Sequence, residues 1–230
     1  SSKADVYNHI PKDFQQTEGA TYLHVTSNNT IYGTQWKEFP KAATYLVADM
    51  SSDILSRKIN VSDFGLIYAG AQKNMSCAGV TLAIIRKDVL GKVERSIPTM
   101  LDYATHIPEH SMFNTPPVFP IYVMNRTLAW LKENGGVSAM ELLNNKKSGL
   151  LYEAIDNSKL FVGTAAKEDR STMNVPFIFN KESVAAEKAD ELQKEFLAFT
   201  KERGLEQLKG HRSVGGFRAS IYNAMPMEGV

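Results

Sequence analysis

The sequence predicts an α/β fold: a large domain on a mostly parallel sheet, followed by a smaller α+β domain. Three observations carry this expectation. Apolar, β-branched runs at residues 22–26, 43–48, 64–70 and 80–85 follow one another through short polar linkers, the pattern of strands gathered into the sheet of an α/β layer. From about residue 118 the apolar spacing changes to that of helices, with positions three and four apart sharing a face. At 230 residues, 43% hydrophobic and 22% charged, the chain has a globular composition and length enough for one large or two modest domains, which excludes a disordered or collagen-like chain.

The first run, Tyr22-Leu23-His24-Val25-Thr26, alternates like a strand and enters the polar turn Ser27-Asn28-Asn29-Thr30. Residues 43–48 read as a strand buried on both faces, closing on Asp49-Met50-Ser51-Ser52. Residues 64–70 close in the same way on Ala71-Gln72-Lys73-Asn74, and 80–85 form a further buried strand. A helix over 118–134 places Ile121, Val123, Met124, Leu128 and Leu131 on one broad face and stops at Asn134-Gly135-Gly136. A second helix over 137–155 carries Met140, Leu143, Leu150 and Leu151. Then come a strand over 174–179, a charged helix over 181–203 with Leu192, Phe196, Leu197 and Phe199 inward, and a Gly-rich strand over 210–222. The boundary between the two domains falls near residue 137, giving 1–136 and 137–230. Trp36 and Trp130 are expected to be packing residues.

Lys plus Arg total 26 against 25 Asp plus Glu, a formal charge of +1, and no run of like charges forms a nucleic-acid stripe or a polybasic membrane anchor. Any cationic site is therefore local. No apolar run has the roughly 18 to 20 residues of a membrane helix. The single Cys77 excludes an intramolecular disulfide and a multi-cysteine metal site, and fits a reducing, cytoplasmic setting; no metal site is expected. The phosphate-loop, dinucleotide, nucleophile-elbow and zinc-protease signatures are missing. Four N-x-S/T sequons, at Asn28, Asn60, Asn74 and Asn125, read as chance matches.

The informative pair is Asp49 and Lys73. Each lies just past the carboxyl end of an apolar run, the sheet edge where open α/β domains bind ligands. Lys73 reads either as a solvated loop residue or as a partly desolvated amine able to form a Schiff base, and the small or polar neighbours from Gly70 to Gln72 and from Ser76 to Gly79 leave space around it. Asp49 reads either as a helix N-cap or as the acid that keeps a pyridine nitrogen protonated. Pyridoxal phosphate enzymes need both groups, one for each end of the cofactor ring. His9, His24, His106 and His110 have no motif around them and are expected to be structural or solvated.

Four motifs then agree in order along the chain. Ala48-Asp49-Met50-Ser51-Ser52, Tyr68-Ala69-Gly70-Ala71-Gln72-Lys73-Asn74, Ser111-Met112-Phe113-Asn114-Thr115-Pro116-Pro117 and the run from Gly210-His211-Arg212-Ser213 to Gly216-Phe217-Arg218-Ala219-Ser220 resemble the phosphoserine aminotransferase family, fold-type-I class V pyridoxal phosphate enzymes. The resemblance implies that Lys73 holds the cofactor as an imine, that Asp49 pairs with its ring nitrogen, and that Thr30 and Gln72 contact it, Gln72 at the phosphate. It implies that Asn114 and Thr115 reach the cofactor phosphate of a partner chain, making the enzyme a homodimer with shared sites. It further implies that His211 and Arg212 bind the substrate phosphate while Arg218 grips the α-carboxylate, which suits the bidentate fit of guanidinium to oxyanions.

The implied reaction exchanges an amino group between glutamate and 3-phosphohydroxypyruvate in serine biosynthesis, with a link to pyridoxine biosynthesis and a cytoplasmic location. Neither nucleic acid nor membrane is an expected partner. Family members begin upstream of Ser1, with a Gly-containing phosphate turn, a ring-stacking aromatic and a basic pair, and continue past Val230, so both ends are expected to be truncated. The opening Ser1-Ser2-Lys3 and the helix-start pattern Pro226-Met227-Glu228 agree. Open alternatives are a related pyridoxal enzyme acting on a non-phosphorylated amino acid, an inactive fragment, and a basic hairpin edge at 210–218.

Overall fold

The computed structural model describes residues 7–230; the expectation attached to Ser1-Ser2-Lys3 lies outside them. In chain order the strands are β1 (Tyr22–Thr26), β2 (Asn28–Asn29), β3 (Thr34–Gln35), β4 (Tyr45–Asp49), β5 (Leu66–Gly70), β6 (Thr81–Ile85), β7 (Phe161–Gly163), β8 (Asn174–Phe179) and β9 (Phe217–Ser220). The α-helices are α1 (Tyr103–His106), α2 (Val118–Glu133), α3 (Gly136–Asp156) and α4 (Ala186–Lys201).

The first sheet runs β1-β4-β5-β6. β1, β4 and β5 are parallel and β6 is antiparallel to β5, so the sheet is mostly parallel, as expected. Its burial differs from the expectation. Leu46 and Ala48 of β4 and Ile67 and Ala69 of β5 are buried with Val25, Met50, Phe64 and Met75 in one cluster, whereas Val47, Asp49, Leu66 and Tyr68 alternate onto a half-open face. These strands are therefore covered on one side, with a period of two. β6 is an edge strand with most of its residues exposed, which corrects its expected burial.

The polar turn after β1 forms a miniature hairpin, β2 with β3, that the sequence reading missed. Asn28 is buried inside it and donates to Ser52 Oγ at 2.8 Å and Asn174 Oδ1 at 2.9 Å, tying the first sheet to β8. Asn74 is buried too, so neither sequon side chain is available at the surface.

α2 and α3 meet at Asn134-Gly135-Gly136, where Gly135 has φ +86° and Gly136 φ +69°. Both are left-handed, a conformation that glycine adopts without a Cβ penalty. Of α2's expected inward face, Leu131 is buried, while Ile121 and Leu128 are exposed; Trp130, expected to pack, is exposed as well, whereas Trp36 packs against the first cluster.

The second sheet, β7-β8-β9, is antiparallel throughout. Phe217 is its hub, with ring centroids 4.8 Å from Phe196, 5.1 Å from Phe179 and 5.2 Å from Phe177. Tyr152 and Ile155 of α3 complete a second cluster with Val175 and Ile221. α4 begins later than expected because Asn180 Oδ1 accepts from the Glu182 N–H at 3.0 Å and closes a separate turn. Leu192, Phe196 and Leu197 are partly buried, but Phe199 is exposed. The expected strand over 210–222 is a strand only over Phe217–Ser220; Gly215 and Gly216, at φ +73° and +59°, turn the chain before it. Pro226 precedes a single 3-10 turn, Met227–Gly229. No helix among the described residues is long and apolar enough to cross a membrane, and no group of three or more potential metal ligands gathers among them.

Candidate active site

Lys73 lies in the turn that follows β5. The Met75 and Ser76 N–H groups both donate to the Ala71 carbonyl, at 3.0 and 2.8 Å, and Asn74 Nδ2 donates to the Ile54 carbonyl at 2.6 Å. With its neighbours pinned, the half-buried Lys73 donates from Nζ to Thr30 Oγ1 at 2.8 Å. Burial lowers its pKa most, the nearby Asp49 carboxylate opposes that, and the Arg218 guanidinium lowers it further. Thr30 is itself held in an Asn29 turn, in which Asn29 Oδ1 accepts from the Ile31 and Tyr32 N–H groups at 3.0 and 3.1 Å.

Arg218 enters from β9 and donates through Nη1 to the Thr30 carbonyl at 3.3 Å, while its buried Nε has no partner. One threonine thus touches both cations, hydroxyl to Lys73 and carbonyl to Arg218. Asp49 ends β4, paired in register with Thr26 on one side and Tyr68 on the other, and its Oδ1 accepts from the Ser51 N–H at 2.9 Å. Gln72 is exposed, with its amide folded over Gly70, where a Cβ would come within 2.8 Å of Gln72 Oε1.

His211 and Arg218 line one small crevice with Ile31, Thr164 and Pro176. His211 Nδ1 lies 2.7 Å from Ser213 Oγ and accepts from the Ser213 N–H at 3.3 Å, contacts that do not engage Nε2. Gly210 is required here, because a Cβ would lie 2.0 Å from the Gly215 carbonyl oxygen. Arg212 is exposed next to them. Asn114 and Thr115 lie on an exposed segment beside Met112 and Phe113. The structure therefore brings Lys73, Thr30, Asp49 and Arg218 together with His211 at the margin; Gln72, Arg212, Asn114 and Thr115 stand at the surface.

The profile of the family described as aminotransferase class-V matches residues 9–230. The chain belongs to the class-V aminotransferases. It is 55% identical over 230 residues to the phosphoserine aminotransferase of Parabacteroides distasonis, covering all of this chain and 63% of that protein. Among solved structures it matches the phosphoserine aminotransferase of Bacillus circulans subsp. alkalophilus with a TM-score of 0.92 and 46% identity, over 99% of this chain and 62% of that one. A pyridoxal-phosphate-bound phosphoserine aminotransferase from Trichomonas vaginalis matches with a TM-score of 0.88 and 42% identity, over 94% of this chain and 60% of that one. The chain thus spans less than two thirds of the length of these relatives.

This class-V aminotransferase chain also holds site neighbours that the sequence reading missed. Tyr68 stands beside Asp49, and His24, expected to be merely structural or solvated, has Nε2 3.0 Å from the Tyr68 hydroxyl. Strand alternation, which puts Tyr68 on the same side as Leu66 and Gly70, was the available indication. Behind Lys73, Asn74 Oδ1 accepts from the Asn223 N–H at 3.0 Å, and Asn223 Oδ1 accepts from Asn144 at 2.8 Å. One turn along α3 the fully buried Lys147 donates to the carbonyls of Ile221, Tyr222 and Met225, at 3.2, 2.9 and 3.0 Å.

Proposed function

We propose that this chain carries part of the active site of a phosphoserine aminotransferase, which transfers an amino group between glutamate and 3-phosphohydroxypyruvate to give phosphoserine and 2-oxoglutarate. The observation that supports it most is the half-buried Lys73 amine, held by Thr30 between the Asp49 carboxylate and the spare donors of Arg218. These residues suit pyridoxal phosphate: a lysine with a lowered pKa for its aldehyde, a carboxylate for its ring nitrogen, and a buried guanidinium N–H without a partner. When bound, the cofactor supplies an aldehyde for amine exchange and a protonated ring that withdraws electrons from the substrate's Cα–H bond.

In this reading Lys73 would hold the cofactor's aldehyde and, once free, its Nζ would take the substrate's Cα proton and later return one, as general base and then general acid. Asp49 would hold a proton on the cofactor's ring nitrogen. Arg218 would exchange its contact with the Thr30 carbonyl for the substrate α-carboxylate, while Arg212 and His211 Nε2 would take the phosphate. Gln72 contacts the cofactor phosphate.

Residues 1–136 would form part of the cofactor domain and 137–230 most of the small domain. The two separate apolar clusters support that division. Asn114 and Thr115 would reach a second copy's cofactor phosphate in a homodimer, which the exposed apolar side chains around them support: Val118 and Phe119 are each 68% exposed. A cytoplasmic location and a role in pyridoxine biosynthesis belong to the same reading.

Borohydride reduction of the cofactor-loaded, full-length protein, followed by peptide mass spectrometry, is expected to leave a pyridoxyl group on Lys73. A pyridoxyl group on another lysine, or on none, overturns the reading. Phosphoserine and glutamate are expected to react in single half-reactions much faster than serine or alanine; equal rates for serine and phosphoserine would assign a non-phosphorylated substrate instead.

A further inference from the structure

We propose that His24 and Tyr68 are positioning residues of the cofactor site, a two-member hydrogen-bond relay that aims the Asp49 carboxylate at the cofactor's ring nitrogen. The proposal deepens the reading of Asp49 given above and rests on it. Asp49 and Tyr68 are register partners on adjacent parallel strands, β4 and β5, so their side chains leave the same face of the sheet. His24 stands on that face too, two residues before Thr26, which is Asp49's register partner on β1. Its ring crosses over β4 to stack on Tyr68, with centroids 6.0 Å apart and planes 29° apart, and brings Nε2 to 3.0 Å from the phenol oxygen.

Donor counting fixes the direction. A carboxylate only accepts, and a phenol has one hydrogen. With the Tyr68 hydrogen turned toward Asp49, the phenol oxygen is left to accept from the His24 Nε2–H. Burial first, and then Asp49 by charge and as a hydrogen-bond acceptor, push the Tyr68 phenol above its ordinary pKa, so it stays a donor. The carboxylate receives the Ser51 N–H on Oδ1 at 2.9 Å, and the Tyr68 phenol, on the same face of the neighbouring strand, is placed to give it a second donor. Two donors, one from the turn that closes β4 and one from β5, would leave the carboxylate little rotation and keep a lone pair for a ring N–H.

The test uses the full-length protein and the variants Tyr68→Phe, His24→Gln and Asp49→Asn. With pyridoxal phosphate labelled with nitrogen-15 in the ring, Asp49→Asn is expected to move the ring-nitrogen resonance toward that of an unprotonated pyridine. Tyr68→Phe should move it part of the way in the same direction and weaken cofactor binding about tenfold, as the loss of a hydrogen bond to a charged group does. His24→Gln should give a smaller shift of the same sign. In the cofactor-free protein, the His24 ring is expected as the Nε2–H tautomer, and Tyr68→Phe should abolish that preference. If Asp49→Asn moves the resonance but Tyr68→Phe and His24→Gln do not, or if His24 is the Nδ1–H tautomer, the relay is overturned while the assignment of Asp49 stands. If Asp49→Asn leaves the resonance in place, the assignment of Asp49 falls and the relay with it.

Discussion

At Lys73, burial and the Arg218 guanidinium favour the neutral amine, and the Asp49 carboxylate favours the cation. Arg218→Ala removes one of the two terms that lower its proton affinity, so in cofactor-free protein the pH profile for labelling Lys73 with an amine reagent is expected to move to higher pH. An unchanged or lowered profile would contradict the placement. The same variant is expected to weaken glutamate and phosphoserine alike, about 10- to 100-fold for a lost charge-assisted pair, whereas Arg212→Ala should act mainly on phosphoserine. Steady-state constants for both substrates decide it, and equal losses from both variants would contradict the two roles. Lys73 and Asp49 were legible because each closes an apolar run. The His24 to Tyr68 contact was not, because 44 residues separate the partners and alternation within each strand does not say that β4 alone lies between β1 and β5 in the sheet.

The α2 to α3 joint is set by two left-handed glycines. A Cβ at Gly135 would carry the strain of φ +86° and lie 2.8 Å from the Ala139 Cβ, so Gly135→Ala is expected to cost about 1 to 2 kcal/mol and to lower the melting temperature by several degrees in calorimetry. That joint was readable, since Asn-Gly-Gly after a helical run has few other uses. In α3 the buried side reads Met140, Asn144, Lys147, Ser148, Tyr152 and Ile155, and its polar middle was hidden because those residues look like a surface until the carbonyls of Ile221, Tyr222 and Met225 receive Lys147 and the Ser56 carbonyl and Asn223 Oδ1 receive Asn144.

Burial with no carboxylate partner lowers the Lys147 pKa to about 8. Below pH 8 the amine is charged in both folded and unfolded chains. Between about 8 and its ordinary value near 10.5 the folded chain releases the proton first, so folding gains stability with rising pH in that window, by up to about 1.4 kcal/mol per pH unit. Chemical denaturation from pH 8 to 10 is expected to show this rise in the parent and a flatter profile in Lys147→Met. β7, three residues long, was too short for its periodicity to show, and the strand expected over 210–222 shrank because Gly215 and Gly216 turn the chain before Phe217.

On the scale of the molecule, two sheets with separate cores meet through buried polar contacts: Asn28 with Asn174, and Asn74 with Asn223. The expected alternation of layers came from local periodicity, but these cross-links join residues 146 and 149 positions apart, which no local pattern encodes. The exposed apolar strip around Val118 and Phe119 is expected to be covered by a second copy. Light scattering on the full-length protein should give a two-chain mass, and Phe119→Asp should lower the dimer's stability; a monomeric parent would contradict this.

The Asn74 to Asn223 contact has a further consequence. Lys73 precedes one asparagine and Arg218 lies five residues before the other, so the amine and the guanidinium are mounted on two jaws bolted together behind the opening. In the proposed reading, with Lys73 at the amino nitrogen and Arg218 at the carboxylate, such a caliper would gauge the span between them, which one carbon bridges in an α-amino acid and two in its β-isomer.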